Sequence, residues 1–153
     1  MGTVLTSVIA GAGLAQVYLD TPYVSVSWER HCVVVEWKGW ASSADFRAAQ
    51  LMSIRACEEN RASRLLVDAR NMKVVLVDDE RWWSEEMLPL LALTGVRLVA
   101  VVNPANRLAG AIVGDISKTP RNLVAETRQF ETLDGARQWL SVMEIRQLAF
   151  ATR

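Results

Sequence analysis

The chain is poor in the residues on which most recognisable chemistry depends. Its 153 residues include a single histidine, His31, and two cysteines, Cys32 and Cys57, with no CxxC spacing. One histidine without neighbouring donors does not make a transition-metal site, which needs three or four N, S or O ligands. A Ser-His-acid triad would have to recruit this one histidine, and no nucleophile-elbow motif accompanies it. The glycines Gly11, Gly13, Gly110 and Gly114 stand in the wrong contexts for a phosphate-cradling loop. No cofactor is implied. The two cysteines are far from the dense framework of a small secreted domain. They read as small apolar core residues, one on a strand and one on a helix face.

Charge of one sign is missing too. Lys and Arg number 17, Asp and Glu number 17, and the net charge is zero. Without a basic excess or stripe, a nucleic-acid partner is not expected. No apolar run reaches the twenty or so residues of a membrane span. Met1–Ala15 is apolar but is broken by Gly11 and Gly13, and no basic residue precedes Arg30. It therefore lacks the charged start of a signal peptide and reads as an N-terminal extension or first strand. A cytoplasmic location is the default, with no membrane insertion. What is present is a 51% hydrophobic, 22% charged composition of ordinary globular character, sized for one domain over 1–153. Six of its eleven aromatic residues are tryptophan.

Periodicity gives the element order. Gln16–Leu19 and Tyr23–Trp28 read as strands around the turn signal Asp20-Thr21-Pro22, with Val24, Val26 and Trp28 alternating against Ser25 and Ser27. Glu29-Arg30-His31 turns the chain into a returning strand, Cys32–Lys38, which Gly39 ends. Ser42 or Ser43 is the expected N-cap of a helix whose stripe is Phe46, Ala49, Ser53 and Cys57, with Gln50 and Ile54 beside it. Arg64–Asp68 reads as a buried parallel strand, and Asn71–Val77 as a loop. Asp78 or Asp79 then opens a second helix that Pro89 kinks and Gly95 closes. Arg97–Val102 is a further buried strand. Arg107–Lys118 forms a short helix, Glu126–Glu131 a last strand, and Thr132 or Asp134 caps a terminal helix running to Gln147. Alternating strands and helices after a hairpin imply an α/β fold, with a mixed sheet whose parallel part carries right-handed crossovers.

Between Tyr23 and Leu140, about three-quarters of the chain, this pattern resembles the STAS-like proteins, in the small bacterial subgroup described as SpoIIAA-like. The matching pieces are Val35-Glu36-Trp37-Lys38-Gly39, Ser42-Ser43-Ala44-Asp45-Phe46-Arg47 and Leu65-Leu66-Val67-Asp68-Ala69-Arg70-Asn71. Trp82, Glu85, Glu86, Leu88 and Pro89 follow, then Val99-Ala100-Val101-Val102 with Pro104, and Phe130 through Trp139-Leu140. The resemblance implies a STAS-like mixed sheet with helices packed largely on one face. Anti-sigma-factor antagonists of that fold carry a phosphorylatable Ser at the start of the second helix. Here no Ser or Thr lies between Asp68 and Ser84, so no phosphate switch is expected there.

Two sets of residues then stand out. At the C-terminal ends of the parallel strands, where open α/β sheets bind ligands, Asp68, Arg70 and Asn71 come beside Asn103 and Asn106, with Ser42 and Ser43 nearby. These are either a small-molecule site or ordinary strand-end and capping residues. On the second helix, Trp82 and Trp83 diverge by about 100° and cannot share one core stripe. With Met87 and Leu90 they suggest an interface with a protein partner or a second copy, as a homodimer. Trp28, Trp37 and Trp139 read as core, and Glu85 and Glu86 as a solvated acidic face. The leading expectation is thus a non-catalytic STAS-like module acting through protein association. The rival is a small apolar-ligand or lipid carrier, by analogy with CRAL-TRIO domains, whose cavity Gln50 and Ser53 would line. A weaker third is an enzyme using Asp68 and Arg70.

Overall fold

The computed structural model describes residues 6–10, 13–73, 75–103 and 126–151. Its centre is a seven-stranded mixed sheet whose spatial order follows the chain: β1 (Thr6–Ala10), β2 (Gly13–Asp20), β3 (Val24–Glu29), β4 (Cys32–Trp37), β5 (Arg64–Asp68), β6 (Leu98–Val102) and β7 (Glu126–Phe130). β1 to β4 pair antiparallel and β4 to β7 pair parallel. The expected α/β fold with an antiparallel edge is what forms. Part of the apolar N-terminal segment is a strand, β1, paired with β2.

The β3–β4 turn is narrower than expected, only Arg30 and His31. Both have positive φ, 52° and 62°, as a two-residue hairpin turn requires. Neither is glycine, so each residue costs roughly 1–2 kcal/mol. Arg64, buried at the start of β5, compensates by donating to both turn carbonyls, Nη2 to Arg30 O at 2.6 Å and Nε to His31 O at 3.3 Å.

Alternation along the strands sends two sets of side chains to two faces. Val24, Val26, Val33, Val35, Leu65, Val99 and Val101 meet α1 (Ser43–Glu59) and the α2–α3 segment (Val77–Leu93). Cys32, Val34, Leu66, Leu98, Ala100 and Val102 meet the terminal helix α4 (Leu133–Ala151) through Ala136 and Leu140. The described helices thus sit mainly on one face, with α4 alone on the other. Arg137 Nη2 of α4 reaches Glu29 Oε1 of β3 at 3.3 Å.

α1 starts where Ser42 Oγ accepts from Asp45 N at 3.2 Å, and its buried stripe is Phe46, Ala49, Ser53, Ala56 and Cys57. A β-bulge between Val17 and Leu19 carries Tyr18, whose hydroxyl donates to Glu59 Oε2 at 2.8 Å and accepts from Asn60 Nδ2 at 2.9 Å. That pair anchors the end of α1 to the edge of the sheet. Thr132 caps α4, its Oγ1 accepting from Gly135 N at 3.1 Å. The expected helix over Arg107–Lys118 falls outside the described residues.

The second helix differs most from expectation. Its N-cap is Leu76, not Asp78 or Asp79, and no side chain caps it. It runs as α2 (Val77–Trp82), a π-helical turn (Trp83–Met87) and α3 (Leu88–Leu93). Pro89 lacks an N–H and its ring crowds the carbonyl four residues back, that of Glu85. Widening the turn before it, with Leu88 N–H bonding Trp83 O, relieves that crowding. Thr94 ends α3 before Gly95 is reached, its Oγ1 donating to Leu91 O at 2.7 Å.

Candidate functional site

The strand-end residues do not converge on one site. Asp68 and Arg70 form a two-pronged ion pair, Nε to Oδ1 at 2.9 Å and Nη2 to Oδ2 at 2.8 Å, and Arg70 N also donates to Oδ1. Burial alone pushes the Asp68 carboxyl up. The hydrogen bonds and charge of Arg70 together outweigh it, so the group sits below its ordinary value. Ser42 is spent as the α1 N-cap. Ser43 Oγ donates to Asp79 Oδ2 at 2.6 Å, on the other side of the α1 start. Asn103 Nδ2 donates to Glu131 Oε1 at 3.0 Å, while Asn71 is exposed and Asn106 lies outside the described residues. Each described member except Asn71 has its own separate partner: an N-cap bond, a tie between helices, an ion pair or a strand-end bond.

The interface set is divided as well. Trp83 and Met87 point inward and are buried, at 7% and 4% exposure. Trp82 is half-buried, edge-on to Phe46 and covered by Arg47, whose guanidinium carbon lies 4.9 Å from the ring centre. Of the four, only Leu90 faces solvent, with Leu93 beyond it at 83% exposure. Trp37 is buried and stacks on Phe46, whereas Trp28 and Trp139 are only partly buried.

The sequence reading missed Asp79. It is buried at 3% exposure, accepting from Ser43 Oγ and, at 3.0 Å, from Arg47 Nε. Instead of capping α2, it ties α2 to α1. The signal was available: Asp79, Trp83 and Met87 recur every four residues, so an acid stands in line with an apolar stripe.

Behind that tie lies a cavity of about 60 Å³ between the sheet and the helices. Its sheet wall is Val35, Trp37, Leu65, Val67, Val99 and Val101. Its helix wall is Gln50, Ser53 and Ile54 of α1, with Trp83, Met87 and Leu91 opposite. A single water needs about 10–15 Å³ of such space, so there is room for four to six water-sized groups. Gln50 and Ser53, the residues expected to line a carrier's cavity, are among its described lining residues, beside the indoles of Trp37 and Trp83. Gln50 Oε1 accepts from Trp83 Nε1 at 3.2 Å, and Ser53 Oγ donates to Ala49 O at 2.7 Å.

The π turn shapes this wall. Trp83 and Met87 open and close it, so the wider turn sets how both side chains meet α1 and the sheet. Such turns are frequent at functional sites. Among the described residues no group of three metal-binding side chains comes together, and no helix is long and apolar enough to cross a membrane. Compared with family models, curated proteins and solved structures, the chain matches none.

Proposed function

We propose that this chain is a non-catalytic STAS-like binding module, cytoplasmic, whose occupant is a small apolar molecule held between the sheet and the helices. The observation that carries this reading is the apolar cavity walled by α1 and the π turn, where Gln50 and Ser53 stand among described lining residues that are otherwise aliphatic, thioether or indole. That is the usual composition of a ligand pocket: mostly apolar, with a few placed polar groups. Left empty, a cavity of this volume costs about 1.4 kcal/mol at about 24 cal/mol per Å³, which an occupant removes. The reading belongs with the carrier analogy of the CRAL-TRIO domains.

A second reading, association with a protein partner or as a homodimer, is favoured by one observation. Leu90 and Leu93, at 39% and 83% exposure, leave an apolar side of α3 uncovered. Trp83 and Met87 contribute nothing to that surface, being turned into the cavity.

Trp37 and Trp83 line the cavity, so intrinsic fluorescence reports on it. Titration with straight-chain alcohols from four to eight carbons is expected to shift the emission saturably, with affinity rising with length and then levelling. A linear, unsaturating response at every length sinks the ligand reading. Sedimentation velocity on the same samples addresses the second: a monomer at all concentrations removes self-association.

A further inference from the structure

The cavity's polar side chains are not interchangeable, and their hydrogens are already allocated. An indole N–H can only donate. Since Trp83 Nε1 lies 3.2 Å from the Gln50 amide, the amide must present its oxygen to the indole. Its Nε2, with two hydrogens, turns the other way and has no partner among the described residues. No buried side-chain N or O among the described residues lacks a partner, so this free edge is not sealed in and stays accessible. Ser53 stands three residues on, one turn along the same side of α1, and is buried at 6% exposure. Its hydroxyl hydrogen is committed to Ala49 O at 2.7 Å, which leaves only lone pairs to offer. Gln50 and Ser53 both line the cavity, and between them one donor, Gln50 Nε2, and one acceptor, Ser53 Oγ, are unused.

None of the described residues lining the cavity is ionisable. A carboxylate or ammonium head would enter without a counter-charge, and burying an unpaired charge is strongly unfavourable. A carbonyl oxygen can use the Gln50 donor but leaves Ser53 unmatched. A hydroxyl uses both, accepting from Nε2 while donating to Oγ.

Resting on the ligand-binding reading above, we infer that the occupant is a neutral aliphatic alcohol. Its hydroxyl is read by Gln50 and Ser53, and its chain lies against Val67, Val99 and Val101. Gln50 is the specificity-determining residue, and Trp83 positions it by holding its oxygen.

The test uses the full chain and three probes of one chain length that the cavity can hold: 1-butanol, 1-chlorobutane and butanoate, titrated by tryptophan fluorescence and calorimetry. The readout is the ratio of chlorobutane to butanol dissociation constants, followed from wild type to variant so that differences in water solubility cancel. Gln50→Leu keeps the side-chain size and removes the donor, and is expected to lower the ratio about three- to tenfold, the value of one net hydrogen bond. Ser53→Ala is expected to lower it by a smaller factor, and butanoate to bind no variant measurably. Circular dichroism melts confirm that each variant is folded. An unchanged ratio in both Gln50→Leu and Ser53→Ala, with both probes still binding, overturns the alcohol assignment and leaves the cavity reading standing. Failure of wild type to bind either neutral probe overturns both.

Discussion

At the scale of single residues, the candidate polar site and the candidate apolar site exchange standing. Asp68 and Arg70 have the look of chemistry in the sequence, an acid and a base two residues apart at a strand end. In the fold they satisfy each other, with Asp68 buried and the Arg70 guanidinium closing over it. The effect on stability has a definite sign. Because the folded carboxyl titrates below its ordinary 3.8, the ion pair stabilises the fold above that value, and the contribution is lost as pH falls through the lower, folded one. Arg70→Ala removes the side-chain bonds and the charge that lower the group, and leaves the burial that raises it and the backbone bond from residue 70. The variant is therefore expected to be less stable than wild type at neutral pH, with the deficit shrinking as pH falls through the carboxyl range. Thermal melts from pH 7 down to about pH 3 check this; parallel curves for the two proteins would show that Arg70 does not govern the carboxyl. The cysteines are inert by a related cause. Burial pushes both thiols up to about 12, so almost no reactive thiolate exists at neutral pH.

At the scale of elements, legibility follows how local the determining force is. β3 and β4 are plain in the sequence because Val24, Val26 and Trp28 alternate with serines, and every second residue of β4 must meet a face. The α1 stripe and its Ser42 cap are equally local, set by a 3.6-residue period and one side-chain oxygen. The second helix is where this fails. A π turn adds one residue to a helical turn, and the apolar pattern around Trp82, Trp83 and Met87 looks continuous on either side of it. Its cause, relief of the Pro89 ring against the preceding turn, is visible only with the backbone in place. Deleting Ser84, an exposed residue within the turn, is expected to restore α-helical spacing, leaving Asp79 and Trp83 facing α1 but returning the Pro89 ring to the carbonyl four residues before it. The cost should approach that of a proline in a helix interior, about 3 kcal/mol by denaturant titration. Unchanged stability would show that the π turn does not relieve the Pro89 ring.

At the scale of the whole molecule, one arrangement makes the sheet stable and the cavity available. Helices on both faces bury β6 completely and β4 and β5 except at Glu36 and Val67, so the core on the α4 face can be close-packed while the other face keeps an unfilled space. Ala49 and Ser53 hold α1 near the sheet, but Trp83 and Met87 meet it across a π turn and leave the gap between them. The sequence carried the ingredients of this site, Gln50 and Ser53 on an inner helix face. Their enclosure could not be read there, because it depends on β4, β5 and β6 arriving beneath them from distant parts of the chain. If the space serves binding, filling it should trade function for stability. Val101 is fully buried in the cavity wall, and Val101→Ile adds one methyl group while keeping a β-branched side chain suited to the strand. Burying that group is expected to stabilise the fold by about 0.8 kcal/mol, which raises the melting temperature by about 2–3 °C for a domain of this size. Butanol affinity should fall in the same variant by about three- to tenfold, since the chain loses the volume the methyl now occupies. A variant that is less stable than wild type would mean the wall is already close-packed. One that gains stability yet binds butanol as tightly would place the alcohol elsewhere on the molecule.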